Sequence, residues 1–92
     1  MGQKVVNIRR KESRDRDFNR KLGARFRELR YEHKYKLQDV QDMTGIRYDL
    51  LSQIENGWSR ITVMEMLALC VIYEVTLETM FEGLWEHLEI SD

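Results

Sequence analysis

Two short stretches of apolar residues at helical spacing, parted by a single glycine, constrain this chain more than anything else in it. Leu37, Val40 and Met43 fall three apart, Gly45 interrupts, and Ile46, Leu50, Leu51 and Ile54 resume a three-to-four rhythm that ends at Asn56-Gly57. That period marks an amphipathic helix, and glycine readily adopts the left-handed conformation that closes a helix C-terminus. The spacing predicts a short second helix ended by Gly45, a tight turn, and a third helix over residues 47–56. Val40, Ile46, Leu51 and Ile54 must meet to lock the two helices at a steep angle, which leaves the opposite side of the third helix free.

The remainder of the chain reads as helical too. It has no proline and few glycines, which favours helices over a turn-rich sandwich. Phe18, Leu22, Phe26 and Leu29 predict a first helix over 18–33 with Asp17 as its N-cap. Thr62 and Glu65 have the spacing of a reciprocal cap that opens a fourth helix over 63–73. Thr76 can cap a last helix carrying Leu77, Met80, Phe81, Leu84, Trp85 and Leu88, with Gly83 as the place where it breaks or bends. Residues 1–17 read as a basic arm, at most a single strand, with Lys4, Arg9, Arg10 and Lys11 beside Val5, Val6 and Ile8. The expectation is an all-α fold: a five-helix domain over 18–82, the arm before it, and a helical extension over 83–92.

A chain of 92 residues has room for one core and buries only about 60 to 65% of its unfolded surface, so no separate ligand-binding domain fits. Cys70, the only cysteine, cannot form an internal disulfide, and beside Leu69 and Val71 it reads as a small buried hydrophobe. The first ten residues are too polar for a signal core, and the run Met66 to Tyr73 is far short of the about 20 residues that span a bilayer. Together these predict a soluble, cytoplasmic protein without a membrane segment. His33 and His87 are the only histidines, and neither has a second His or Cys spaced to share a metal or activate a nucleophile. No cofactor, metal site or enzymatic activity is expected.

The net charge of −1 conceals an asymmetry: residues 1–34 hold twelve Lys/Arg against five Asp/Glu, and residues 35–92 hold three against eleven. The first third is the candidate surface for a polyanion or an acidic partner.

Leu22-Gly23, Arg25-Phe26-Arg27, Leu29-Arg30, Asp39-Val40, Thr44-Gly45-Ile46, Leu51 through Gly57 and Val75-Thr76-Leu77 together resemble the lambda-repressor-like, XRE-type helix-turn-helix family. The likeness runs from Leu22 to Phe81. It implies double-stranded DNA as the partner, the third helix as the recognition helix in the major groove, and a charge pair between Arg30 and Glu55. The sequence departs from the family pattern at Lys36, where a capping Ser/Thr is usual, at Leu37, at Gln41 in place of a small residue, and in lacking a proline before Thr62. Fewer phosphate contacts from the second helix are therefore expected.

Off the apolar stripe of the third helix lie Arg47, Tyr48, Asp49, Ser52, Gln53 and Asn56, which are the expected DNA-facing residues. Gln53 can pair bidentately with adenine, Tyr48 offers a ring edge to a thymine methyl, and Asp49 can accept from cytosine N4. The alternative for Asp49 is that it caps the helix or holds Arg47 in place. Arg47, Asn56, Arg60 and Lys36 suit phosphate oxygens, with capping and solvation as their alternative. Residues 35–61 nevertheless carry three basic side chains against four acidic ones, so DNA affinity must draw charge from residues 1–34.

Val63, Met66, Leu67, Cys70 and Tyr73 are expected to cover the first and third helices, which leaves Met64, Ala68, Val71, Ile72 and Val75 as a second apolar face. With Trp85 and Leu88 these form the expected homodimer interface, unless Trp85, Leu88 and Ile90 fold back over the face within one chain. The rival reading is an antitoxin-type autoregulator or a protein-interaction module of the same fold, with a toxin or antagonist as partner.

Overall fold

A computed structural model of the chain describes residues 2–7, 12–84 and 89–91. In chain order its elements are β1 (Val5–Asn7), α1 (Glu12–Glu32), α2 (Leu37–Thr44), α3 (Tyr48–Glu55), α4 (Val63–Ile72), α5 (Leu77–Phe81) and β2 (Glu89–Ser91). The five expected helices are present and build the domain. Leu22 and Phe26 of α1 meet Val40 of α2, Leu51 and Ile54 of α3, Leu69 and Cys70 of α4, and Met80 of α5 in one buried cluster. Among the described residues no helix is long and apolar enough to cross a membrane.

Chemistry at the helix ends explains where the elements stop. Gly45 closes α2 at φ 77°, its N–H donating to Gln41 O at 2.7 Å. Thr62 opens α4 by the expected reciprocal cap: its hydroxyl accepts from Glu65 N at 3.1 Å while Glu65 accepts from Thr62 N at 2.8 Å. Thr76 accepts from Thr79 N and opens α5. Three helices end in the same paired motif, in which one N–H reaches back five residues and the N–H before it reaches back three. After α1 the donors are Tyr35 and Lys34, after α3 Trp58 and Gly57, after α4 Val75 and Glu74. The left-handed residue is glycine only after α3; Lys34 and Glu74 take φ values of 59° and 56°.

Several expectations need correction. Helix α1 begins at Glu12, not at residue 18, and Asp17 lies within it, paired with Arg20 one turn on rather than capping a terminus. The segment ahead of α1 is not simply an arm: β1 pairs antiparallel with β2, Val6 facing Ile90, so residues 89–91 form a strand and not a helical extension. The last helix stops at Phe81 because Gly83 takes a left-handed φ of 78°, and Leu84 beyond it is still core, which carries the domain past residue 82. Arg9, Arg10, Lys11, Trp85 and Leu88 lie outside the described residues.

The orientation of α4 also differs. Its buried seam is Met66, Leu69, Cys70 and Tyr73, the three-to-four spacing of a single helix face. Leu69 on that seam turns Val63 and Leu67 outward, to 70% and 40% exposure. Met64 and Val71 face solvent as expected, Ala68 is half-buried, and Ile72 and Val75 pack against the core.

Candidate nucleic-acid interface

The turn between α2 and α3 is held by side chains as well as by Gly45. Thr44 Oγ1 donates to Val40 O at 2.7 Å and accepts from Ile46 N at 3.1 Å, so one hydroxyl bridges the end of α2 and the start of the turn. Arg47 sits at the N-cap of α3 but offers no acceptor to the helix. The acceptor comes from α2 instead: Gln41 Oε1 takes the N–H of Tyr48 at 2.8 Å. Lys36 cannot accept either, and at the start of α2 only the return half of a cap is made: the Asp39 carboxylate takes the Lys36 N–H at 2.7 Å. Two departures from the family pattern thus act at different helices: Lys36 leaves α2 without a side-chain acceptor, and Gln41 supplies one to α3.

Leu51, Ile54 and Glu55 form the buried side of α3, and Arg47, Tyr48, Asp49, Gln53 and Asn56 form its exposed side, with Ser52 half-buried between them. Asp49 Oδ1 accepts from Leu50 N at 2.9 Å and lies 3.6 Å from Arg47 Nε, the geometry of the capping and Arg47-holding alternative. Asn56 is committed on both sides: its Nδ2 donates to Ser52 O at 2.9 Å and its Oδ1 accepts from Arg27 at 2.6 Å. Gln53 makes no side-chain hydrogen bond among the described residues, so its amide is free for a ligand. Lys36 and Arg60 are exposed near the starts of α2 and α4.

The angle of α3 is set from α1. Gly23 abuts the last carbonyls of α3; a Cβ there would collide with Ile54 O and lie 2.8 Å from Glu55 O. Two turns further, Arg30 grips Glu55 with two parallel bonds, Nε to Oε2 at 2.8 Å and Nη2 to Oε1 at 2.9 Å, and its Nη1 donates to Tyr35 O at 3.1 Å. The fork leaves the Glu55 side chain 5% exposed and raises the Arg30 pKa, chiefly through the hydrogen bonds to Glu55. Arg27 adds a looser contact to the same carboxylate at 3.6 Å. No buried side-chain polar atom among the described residues lacks a partner.

These features converge on two helices, α2 and α3, crossing at a glycine turn, with α3 bound to α1 by a buried ion pair and exposed along its far side. Residues 26–80, more than half of the chain, match the model of the helix-turn-helix family. The chain belongs to that family. The helix-turn-helix domain here is of the XRE, lambda-repressor-like type, a DNA-binding regulator of transcription, and the family is one of regulatory domains, not of enzymes. No curated protein matches the chain.

The expected contact residues from Arg47 to Arg60 lie along α3 and the turn after it. Sequence reasoning passed over Arg27, Arg20, Arg16 and Trp58. Arg16, Arg20, Gly23, Arg27 and Arg30 fall at spacings of four, three, four and three, a single stripe of α1 with the glycine at its closest approach to α3. The spacing was legible; reading residues 1–17 as a basic arm hid it, because Arg16 lay ahead of the expected helix start.

Proposed function

We propose that this helix-turn-helix domain is a sequence-specific repressor that inserts α3 in the major groove as a homodimer. The observation that carries the reading is the free edge of α3: Arg47, Tyr48, Asp49 and Gln53 are exposed on a helix whose angle is set by the Arg30–Glu55 fork, and the Gln53 amide is uncommitted. Gln53 reads adenine, Tyr48 a neighbouring base edge, and Ser52 either kind of base; Arg47, Arg60, Lys36 and the remaining Asn56 proton meet phosphates. Asp49 serves by orienting Arg47. Blocking a promoter by occupying it needs nothing beyond such a site, and a cytoplasmic location gives access to it.

The homodimer is supported by α4. Val63, Met64 and Val71 are 70, 75 and 76% exposed, and Leu67 joins them, a contiguous apolar face of the kind that marks a protein contact. A face related to its twin by a two-fold axis matches the palindromic half-sites that such domains read. Ala68 borders this face, whereas Ile72 and Val75 support it from the core side.

A second reading, an antitoxin-type autoregulator or interaction module, is favoured by the acidic balance of residues 35–61 together with that apolar face. The test is binding to selected and random duplexes across a salt series. Gln53→Ala should relax one base position, a discrimination of about 1 to 3 kcal/mol, while Arg60→Ala weakens both duplexes alike. Equal losses on both duplexes from Gln53→Ala would refute the docking, and no binding even at low salt would favour the interaction module.

A further inference from the structure

The arginine stripe of α1 does not end at the recognition helix. Arg16 and Arg20, with Asp17 between them, form one wall of a cavity of about 280 Å3 whose other wall is Asn56, Gly57 and Trp58. The α1 wall lies ahead of residue 26, outside the span that matches the family model. The opposite wall is fixed in place: a Cβ on Gly57 would lie 2.6 Å from Arg20 Cα, and the N–H of Trp58 is held 2.9 Å from Gln53 O. An apolar residue at Trp58's place in this helix stop frequently folds back on the last turn. Trp58 instead stands 82% exposed. Arg20 is oriented by Asp17, and Arg16 has no partner among the described residues.

We infer that this cavity receives a phosphodiester of the DNA backbone beside the bases met by α3, with Arg16 and Arg20 supplying the charge and the Trp58 indole packing against the adjoining sugar. The inference rests on the reading of α3 as the recognition helix. Asn56 belongs both to the cavity and to the exposed edge of α3, so a strand whose bases meet Gln53 runs past the cavity mouth. Guanidinium groups match phosphate geometry better than any other side chain. The cavity also answers the charge deficit of residues 35–61: counterion release must come from cations outside that segment, and these two flank it. The Asp17 carboxylate is taken up by Arg20, which leaves the wall with one positive charge in excess.

The test is anisotropy titration of the full chain with a selected duplex and a random one, repeated across salt, for wild type and the double variant Arg16→Gln/Arg20→Gln. Both side chains are at the surface, and circular dichroism checks that the variant is folded. The expected result is an equal fold-loss of affinity for both duplexes and a salt slope smaller by about one, for the single phosphate that the cavity holds. In a Trp85→Phe background, duplex should change the remaining Trp58 fluorescence, and Trp58→Ala should weaken both duplexes. An unchanged slope and affinity in the double variant, with Gln53→Ala still relaxing site choice, would overturn the clamp and leave the recognition helix standing. Wild type that binds neither duplex overturns both. A Trp58 response to inorganic phosphate but not to duplex makes the cavity a small-anion site and likewise overturns the assignment.

Discussion

Substituting Gly23 with alanine sets two effects of opposite sign against each other, and the structure says which prevails. In an open helix the change stabilises by about 1 kcal/mol, because alanine has less conformational freedom to lose. Here the new Cβ would collide with Ile54 O and stand 2.8 Å from Glu55 O and 2.9 Å from Glu55 C, all of them backbone atoms that cannot swing aside. Moving Glu55 O from 2.8 Å to an ordinary 3.4 Å contact asks α1 to withdraw from α3 by 0.6 Å, and Ile54 O asks for more. Overpacking of this kind costs about 1 to 3 kcal/mol. The same withdrawal stretches the Arg30–Glu55 bonds at 2.8 and 2.9 Å, and losing one side of a buried pair costs about 3 to 5 kcal/mol, of which a stretched fork forfeits a part. The net expectation is destabilisation by about 3 kcal/mol, a large share of what a domain of this size has. Urea unfolding followed by circular dichroism should show a lower midpoint at an unchanged slope, and the melting temperature should fall by more than about 10 °C. A Gly23→Ala protein that melts higher than wild type would show that α1 and α3 do not meet at this glycine, and the account of how α3 is held would fall with it.

Two further outcomes can be measured on the same protein. Glu74→Gly removes a side chain from a left-handed position at φ 56° and should raise the melting temperature by a few degrees, a gain of up to about 1 kcal/mol; an unchanged or lower value refutes the strain. Burial of Tyr73, a residue 2% exposed, raises the pKa of its hydroxyl well above the ordinary value of about 10, so its stabilising contribution is intact below pH 10 and is lost as pH rises past it. Urea midpoints at neutral and strongly alkaline pH should therefore differ less in Tyr73→Phe than in wild type, and identical alkaline losses would place the titration elsewhere.

Most of the helical domain was legible because its signals are local. Apolar spacing, the Thr62–Glu65 cap, Thr76 and the two glycines at 45 and 57 each act within a turn or two of chain, and each is found where expected. What escaped depended on partners distant in sequence. The strand at 5–7 exists through residues 89–91, and no local pattern announces such a pairing. The ends of α1 and α4 fall within a residue of the expected ones, but the left-handed φ of Lys34 and Glu74 just after them has no local signal, since neither is a glycine. On α4 almost every position is apolar, so hydrophobicity alone could not say which face was inside; the answer came from Leu69 joining the buried core cluster, which rotated Val63 and Leu67 into solvent. At the candidate interface the exposed edge of α3 followed from the stripe of Leu51 and Ile54, whereas Arg16, Arg20 and Trp58 come together only once α1 is extended to Glu12.

The Gln41 amide makes the junction between α2 and α3 observable at a single proton. Because Gln41 Oε1 is the acceptor for the Tyr48 N–H, that proton is retained only while the two helices keep their mutual placement. Its exchange with solvent is thus a clock for the motif, separate from the clocks of the helix interiors, whose amides are protected by their own turns. In a spectrum recorded during exchange, Tyr48 reports whether α3 is seated against α2, and a Gln41→Ala protein would lose that report while the amides of Leu51 and Ile54 keep theirs.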